Sequence, residues 1–263
     1  MGKNFVVGDI HGNTSVFSKS KFPLQADLTK DDVVFQLGDF GVLWYYPESL
    51  LHFKDDELLN DLAAASFSLF VIPGNHENYD LINALPIVEK WGSPVFVLHL
   101  EDGDIFFAKR GEVYTVNAKT IFTFSGAKTF DADRFSLKDL DQIRQTEKYG
   151  RKIISIDDIN YWEGELATKE EREHAIKNLS EHNYKVDFIF THTAPRDIIN
   201  EFIFKTDDTE GKFSDPTVDF LDNICELVEF KEWHYGHMHH NYSIKTTDGL
   251  FACHFDNIPQ KLL

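Results

Sequence analysis

Seven side chains scattered along the chain have the chemistry to hold metal ions: Asp9, His11, Asp39, Asn75, His192, His237 and His239. They offer carboxylate, imidazole and amide oxygen but no thiolate. That donor set suits Mn, Fe, Zn, Ni or Co ions rather than a cysteine-rich structural zinc site. Seven ligands exceed what one tetrahedral ion needs and match two divalent ions sharing a bridge. Spacing adds to type. Asp9 and His11 stand two apart in Gly8-Asp9-Ile10-His11-Gly12-Asn13, as do His237 and His239 in Gly236-His237-Met238-His239-His240. Residues two apart on an extended segment point the same way, so each pair reads as one arm reaching toward a site. Gly8 and Gly12 let the backbone turn and come close to whatever the first pair holds. A lone Asp-x-His is commonly a solvated turn; a metal site requires the other five to reach the same point.

The elements that would carry them there are legible. Lys3–Val7 is a strand signal leading into Asp9; Asp32–Leu37 leads into Gly38-Asp39; Ser68–Ile72 leads into Pro73-Gly74-Asn75-His76-Glu77. Later, Val186–Phe190 ends in Thr191-His192, and Trp233-His234-Tyr235 leads to the Gly236 segment. Pro47–Ala65 reads as a helix, with Leu50, Leu51, Leu58, Leu59 and Leu62 at helical spacing. Strand, helix, strand is the crossover unit of a parallel or mixed sheet, and in open α/β sheets sites collect at the strands' carboxyl ends.

The middle of the chain differs. Pro94–Leu98, Ile105–Ala108, Val113–Val116 and Ile121–Phe124 are short runs broken by turns, which predicts antiparallel pairing rather than further crossovers. Gly126–Glu165 is polar and charge-rich and reads as a long insertion near the site. Thr168-Lys169-Glu170-Glu171 predicts a capping box opening a helix to about Glu181. Lys205–Ser214 is a polar loop and a candidate lid. Asp215 reads as an N-cap, with Pro216 opening a helix to about Phe230. Tyr242–Lys245 and Leu250–His254 close the chain as strands. Neither repeat nor linker divides it, so residues 1–263 read as a single domain able to bury a sizeable core.

Composition narrows the partners. A net charge of -18 argues against a surface that coats nucleic acid, since backbone phosphates demand basic residues. It leaves a small phosphorylated substrate open, because a bound cation inverts the local field. The longest apolar runs are strand length, short of the ~20 residues of a membrane span. Met1 to Asn4 run straight into a strand with no apolar leader, and Cys225 and Cys253 form no disulfide framework, so the expected compartment is the cytoplasm. Cys225 falls in an apolar helical stripe and reads as core.

In order, Asp-x-His, Gly-Asp, Gly-Asn-His-Glu, a histidine after a later strand and Gly-His-x-His span residues 8 to 240. This set resembles the calcineurin-like metallophosphoesterase superfamily. The resemblance implies an α/β fold, a four-layered α/β/β/α sandwich of two mixed sheets flanked by helices, with a dinuclear metal site at the strand carboxyl ends. It puts one ion on Asp9, His11 and His239 and the other on Asn75, His192 and His237, with Asp39 bridging. His76 matches the family's catalytic histidine, which does not bind metal. The implied activity is hydrolysis of a phosphate mono- or diester of a small molecule or nucleotide. A hydroxide between ions ~3.5–4 Å apart attacks phosphorus. His76 then protonates the leaving-group oxygen, as an imidazole can near neutral pH. Glu77 and Asp80 are candidates to orient it.

Two other functions use the same residues. A nuclease would need a basic track that the composition does not display, and a non-catalytic metal-binding scaffold should lack a ligand or His76. The serine/threonine protein phosphatase branch of the family carries Asp-Arg-Gly after its second block and an arginine before Gly-Asn-His-Glu. Here Phe40-Gly41 and Pro73 stand at those places. That leaves Lys128, Arg134 and Arg196 as candidates to grip phosphate. Trp44, Tyr45 and Trp162 are candidates to stack on a base. His52, His99, His174, His182, His234, His240 and His254 have no place in the motifs and read as structural or surface residues.

Overall fold

Apolar side chains alternate along the strands, and each half of the alternation finds its own layer. The computed structural model describes residues 2–129, 133–135, 154–156, 162–200 and 215–262. In chain order the strands of the first sheet are β1 (Asn4–Val7), β2 (Val33–Gln36), β3 (Ser68–Val71), β4 (Ile87–Lys90), β5 (Ser93–Leu100) and β6 (Gly103–Ala108). The second sheet begins with β7 (Val113–Val116) and β8 (Lys119–Phe124), and β9 (Asp133–Phe135) and β10 (Ile154–Ile156) pair with each other. Next come β11 (Phe188–Thr191), β12 (Glu232–Tyr235), β13 (Tyr242–Lys245) and β14 (Leu250–Cys253), and β15 (Gln260–Lys261) returns to the first sheet. The spatial orders are β15-β1-β2-β3-β6-β5-β4 and β13-β14-β12-β11-β8-β7.

Val6, Phe35 and Phe70 face Ile121, Phe188 and Phe190 across the space between the sheets. There the rings of Phe35 and Phe190 meet edge to face at 4.8 Å. Phe5, Val34, Leu69 and Val71 point the other way, onto Leu59 and Leu62 of the helix His52–Ala63. On the far side, Phe122, Ile189 and Trp233 pack with Ala175 and Leu179 of the helix Lys169–Glu181 and with Leu221 and Ile224 of the helix Pro216–Leu227. Helix, sheet, sheet and helix make a four-layered α/β/β/α sandwich.

Both sheets are mixed. β1, β2, β3 and β6 run parallel, as do β8, β11, β12 and β14, while the outer strands pair antiparallel. Parallel neighbours end on one rim, which is where the chemistry-bearing segments leave the sheets. Two helix starts follow the sequence closely: Thr168 and Glu171 form the reciprocal capping box, and Asp215 accepts from the N–H groups of Thr217 and Val218.

Other expectations need correction. The helix after β2 begins at His52, not Pro47, and Leu50 is 93% exposed, because residues 44–51 form a loop beside the site instead. The later helix stops at Leu227, where Val228 turns extended and sends Phe230 back into the core. The antiparallel runs of the middle do not make up the second sheet alone: β5 and β6 join the first, with β6 parallel to β3, and β7 and β8 join the second. β4 and β15 carry no strand signal that was read. Most of the 126–165 insertion, and the whole Lys205–Ser214 loop, lie outside the described residues. Among the described residues, no helix is long and apolar enough to cross a membrane.

Phe190 is fully buried between the sheets. Phe190→Ala should lower the unfolding free energy by about 3–5 kcal/mol in urea titrations, through lost transfer energy and a residual cavity.

Candidate metal centre

The segments following β1, β2, β3, β11 and β12 converge at that shared rim. Ligand atoms of Asp9, His11, Asp39 and His239 lie within 4.8 Å of one another, and so do those of Asp39, His192 and His237. Asp39 belongs to both groups. Within the first, His11 Nε2 is 3.1 Å from His239 Nε2 and 3.8 Å from Asp39 Oδ2, and His239 Nε2 is 3.6 Å from Asp9 Oδ2. Within the second, His192 Nε2 is 3.2 Å from Asp39 Oδ1, and Asn75 joins with its Oδ1 3.0 Å from that same nitrogen. The structure therefore brings all seven residues together. His240, next to His239, is exposed and contributes to neither group.

Each donor is held by a partner behind it. The Leu37 carbonyl accepts from His192 Nδ1 at 2.8 Å, which turns Nε2 inward in the tautomer a ligand needs. Asn75 Nδ2 donates to Thr129 Oγ1 at 3.0 Å, and Thr129 Oγ1 donates to Glu165 Oε2 at 2.7 Å, so the amide oxygen faces the centre. Both oxygens of Asp9 accept from the His237 N–H, and the His239 ring stacks on Phe255. Thr129, Glu165 and Phe255 escaped the sequence reading because they belong to no motif. Only their positions reveal them.

Backbone conformation departs from expectation. The pairs Asp9/His11 and His237/His239 are not extended arms: β1 ends at Val7 and β12 at Tyr235. His11, Asp39, His237 and His239 all have left-handed backbones, with φ of 44°, 48°, 62° and 51°. That region costs a non-glycine residue about 1–3 kcal/mol and persists where surroundings over-determine it. Here the His11 N–H donates to the Asp39 carbonyl and the Gly236 N–H to the His192 carbonyl, locking one segment to the next. Close approach also explains two glycines. A Cβ on Gly236 would fall on the Asp9 carboxylate, and one on Gly38, itself at φ 89°, would meet the His192 ring.

His76 donates its backbone N–H to Asp39 Oδ1 at 2.8 Å. With His11, Gly41, Trp44 and Tyr45 it lines a cleft of about 340 Å³. Neither residue proposed to orient it does so by contact. Glu77 is buried and accepts from the Phe40 N–H at 2.7 Å, and Asp80 accepts from the Tyr46 hydroxyl at 3.0 Å. Arg196 is committed to Asp219 and Asp222, Lys128 is exposed, and the side chain of Arg134 lies outside the described residues. Trp162 is buried against Trp44 and offers no free face. A larger cavity of about 590 Å³ is lined by Tyr79, Arg110, Glu171 and His174. Its guanidinium is already bonded to Glu171 and to the carbonyls of Ser125 and Gly164, and it gathers no comparable donor set.

Electrostatics bears on whether ions fit. Burial, helped by the Asp39 charge, pushes Asp9 up to about 8 despite the nearby His192. Burial acts on Asp39 too, but the His192 charge and hydrogen bond, with His76 and His11, together outweigh it and hold that carboxyl far below its usual range. His192 is pushed up to about 9, the Asp39 and Asp9 charges overcoming its own burial. Burial, reinforced by His192, drives His237 down to about 3, and burial also lowers His11 and His239. So His11, His237 and His239 are held toward the neutral form that ligation requires, and protons hold together two carboxylates that water does not reach. Divalent cations fit such a site, replacing protons as the compensating charge.

Mn²⁺ or Zn²⁺ should therefore raise the melting temperature, by the equivalent of about 2.7 kcal/mol at one hundred times Kd. Binding should release protons, seen as a buffer-dependent heat in calorimetry. Because the proton competitors sit on Asp9 and His192, apparent affinity should climb with pH and level off above about 8 to 9. Asp39→Asn should remove most of the metal-induced stabilisation.

Neither a protein-family model nor a curated protein matches the chain. Among solved structures it is similar to a phosphopantetheinyl hydrolase from Mycobacterium tuberculosis, at 12% identity and a TM-score of 0.43 over 100% of this chain and 96% of the other. It is also similar to a dimetal phosphatase from Danio rerio, at 10% identity and a TM-score of 0.47 over 96% and 86%. Likeness at these scores is too slight to assign an activity. In the order of its motifs, its four-layered fold and the meeting of those motifs at one rim, the chain resembles the calcineurin-like metallophosphoesterases.

Proposed function

We propose that the chain is a calcineurin-like metallophosphoesterase that hydrolyses a small phosphate ester. One observation carries this reading: seven oxygen and nitrogen donors from five separate segments meet in two groups that share Asp39, with His76 on the adjoining cleft. Asp9, His11 and His239 would hold one divalent ion, Asn75, His192 and His237 the other, and Asp39 would serve both. When bound, the ions would supply Lewis acidity toward a phosphoryl group and a water of lowered pKa.

The chain's own residues do the rest. Hydrogen bonding of the His76 backbone to Asp39 anchors this residue beside the centre, with its ring centroid 5.9 Å from that of His11, and its imidazole donates a proton to the departing alkoxide or phenoxide. Leu37 and Thr129 hold His192 and Asn75 in the orientation that keeps their donor atoms on the site. The complete donor set and the presence of His76 favour an enzyme over a metal-binding scaffold. The net charge of -18 favours a small substrate over a long polynucleotide.

Loaded with Mn²⁺, the protein should hydrolyse p-nitrophenyl phosphate, bis-p-nitrophenyl phosphate or both. His76→Ala should lower kcat about 10²- to 10⁴-fold while metal-induced stabilisation persists. Turnover of neither ester above the His76→Ala background would refute the reading. The ratio between the two esters assigns mono- or diester preference.

A further inference from the structure

Three consecutive aromatic residues, Trp44, Tyr45 and Tyr46, stand half-buried in the loop that leads from Asp39 to the first helix. Trp44 and Tyr45 line the same cleft as His11 and His76, and no lysine or arginine does so among the described residues. At about 340 Å³ the cleft falls at the small end of the roughly 300–1,000 Å³ range of small-molecule sites. The immediate surroundings of His76 are thus aromatic, not cationic.

This loop is pinned from several sides. Both Trp44 and Tyr45 donate their backbone N–H to Oδ2 of Asp55, a carboxylate buried in the first turn of the helix His52–Ala63. Asn78 Nδ2 donates to the Trp44 carbonyl at 3.0 Å, His52 Nδ1 to the Tyr45 carbonyl at 3.0 Å, and the Tyr46 hydroxyl to Asp80. The Trp44 and Trp162 rings meet edge to face, with centroids 5.0 Å apart at 87°. Asn78 and Asp80 lie within five residues of Asn75, so one short segment carries Asn75 and His76 and also anchors the aromatic loop. These bonds fix the loop's main chain, and Trp44 and Tyr45 keep part of their ring surface exposed on the cleft.

We propose that Trp44 and Tyr45 form a shelf for a planar aromatic ring on the leaving-group side of the ester, a nucleobase being the chemical class that fits, and so set substrate preference. The proposal rests on the phosphoesterase reading above and deepens it. A base stacked on an aromatic side chain gains affinity whatever its identity, so the shelf selects for a ring without selecting one base. A single nucleotide brings one phosphate to the centre, whereas a longer strand would meet the repulsion of an acidic protein.

The test compares esters that differ by the ring. For the Mn²⁺-loaded protein, kcat/KM for 5′- or 3′-AMP should exceed that for ribose 5-phosphate by roughly tenfold or more, chiefly through KM. Trp44→Ala should bring the ratio near one, and Trp44→Phe, which keeps a ring, should restore most of it. A second readout needs no turnover. AMP should quench tryptophan fluorescence where ribose 5-phosphate does not, and Tyr45→Ala should weaken the quenching. If both esters are hydrolysed with a ratio near one, or if Trp44→Ala leaves the ratio intact, the shelf is overturned and the phosphoesterase reading stands. Should neither be hydrolysed, quenching alone decides the shelf, and none by AMP overturns it, while the two p-nitrophenyl esters decide the phosphoesterase reading.

Discussion

Asp9 and Asp39 sit almost wholly out of water where the two sheets meet, at 0% and 1% exposure. An ionised carboxylate in such a place is tolerated only if it is paired and hydrogen-bonded. The protein offers backbone donors, the His237 N–H to Asp9 and the His76 N–H to Asp39, and one imidazole, His192, close enough to share a proton. That is enough to fold around and not enough to settle the charge. Divalent cations would complete what the protein leaves short, and much of the architecture follows from placing these two side chains.

The partners of the centre are far apart in sequence. Asp9 and His237 are separated by 228 residues, and His192 and Leu37 by 155. No local element can form the site, which exists only once both sheets have docked on the shared layer of Phe35, Phe70, Phe188 and Phe190. Packing energy from that layer offsets four left-handed backbones at His11, Asp39, His237 and His239. Backbone bonds running from one segment to the next then fix the donors to within the tolerance metal ligation requires.

How much of this could be read beforehand follows from the range of the forces involved. Strands such as Asn4–Val7 and Phe188–Thr191 are fully buried and read as continuous apolar runs, so their ends, and the residues just past them, were plain. The Thr168 capping box is local and was equally plain. By contrast, β4 is half-exposed and carries Glu89 and Lys90, which masks its strand character, and β15 is only two residues long. Leu50 and Leu51 sit at helical spacing but face solvent, because Asp55 ties down the loop before them. The division of the middle strands between two sheets, the turn of Asn75 by Thr129 and Glu165, and the capture of Arg196 by Asp219 and Asp222 all depend on residues brought together over long distances. No local pattern encodes them.

The central claim is that Asp39 is shared by two ions. Electron paramagnetic resonance of the protein titrated with Mn²⁺, alongside metal analysis, addresses it most directly. The account predicts two ions per chain and, at full loading, the spectrum of an exchange-coupled pair, replaced by isolated or weak binding in Asp39→Asn. A single uncoupled ion per chain at saturation, or coupling that survives Asp39→Asn unchanged, would contradict it.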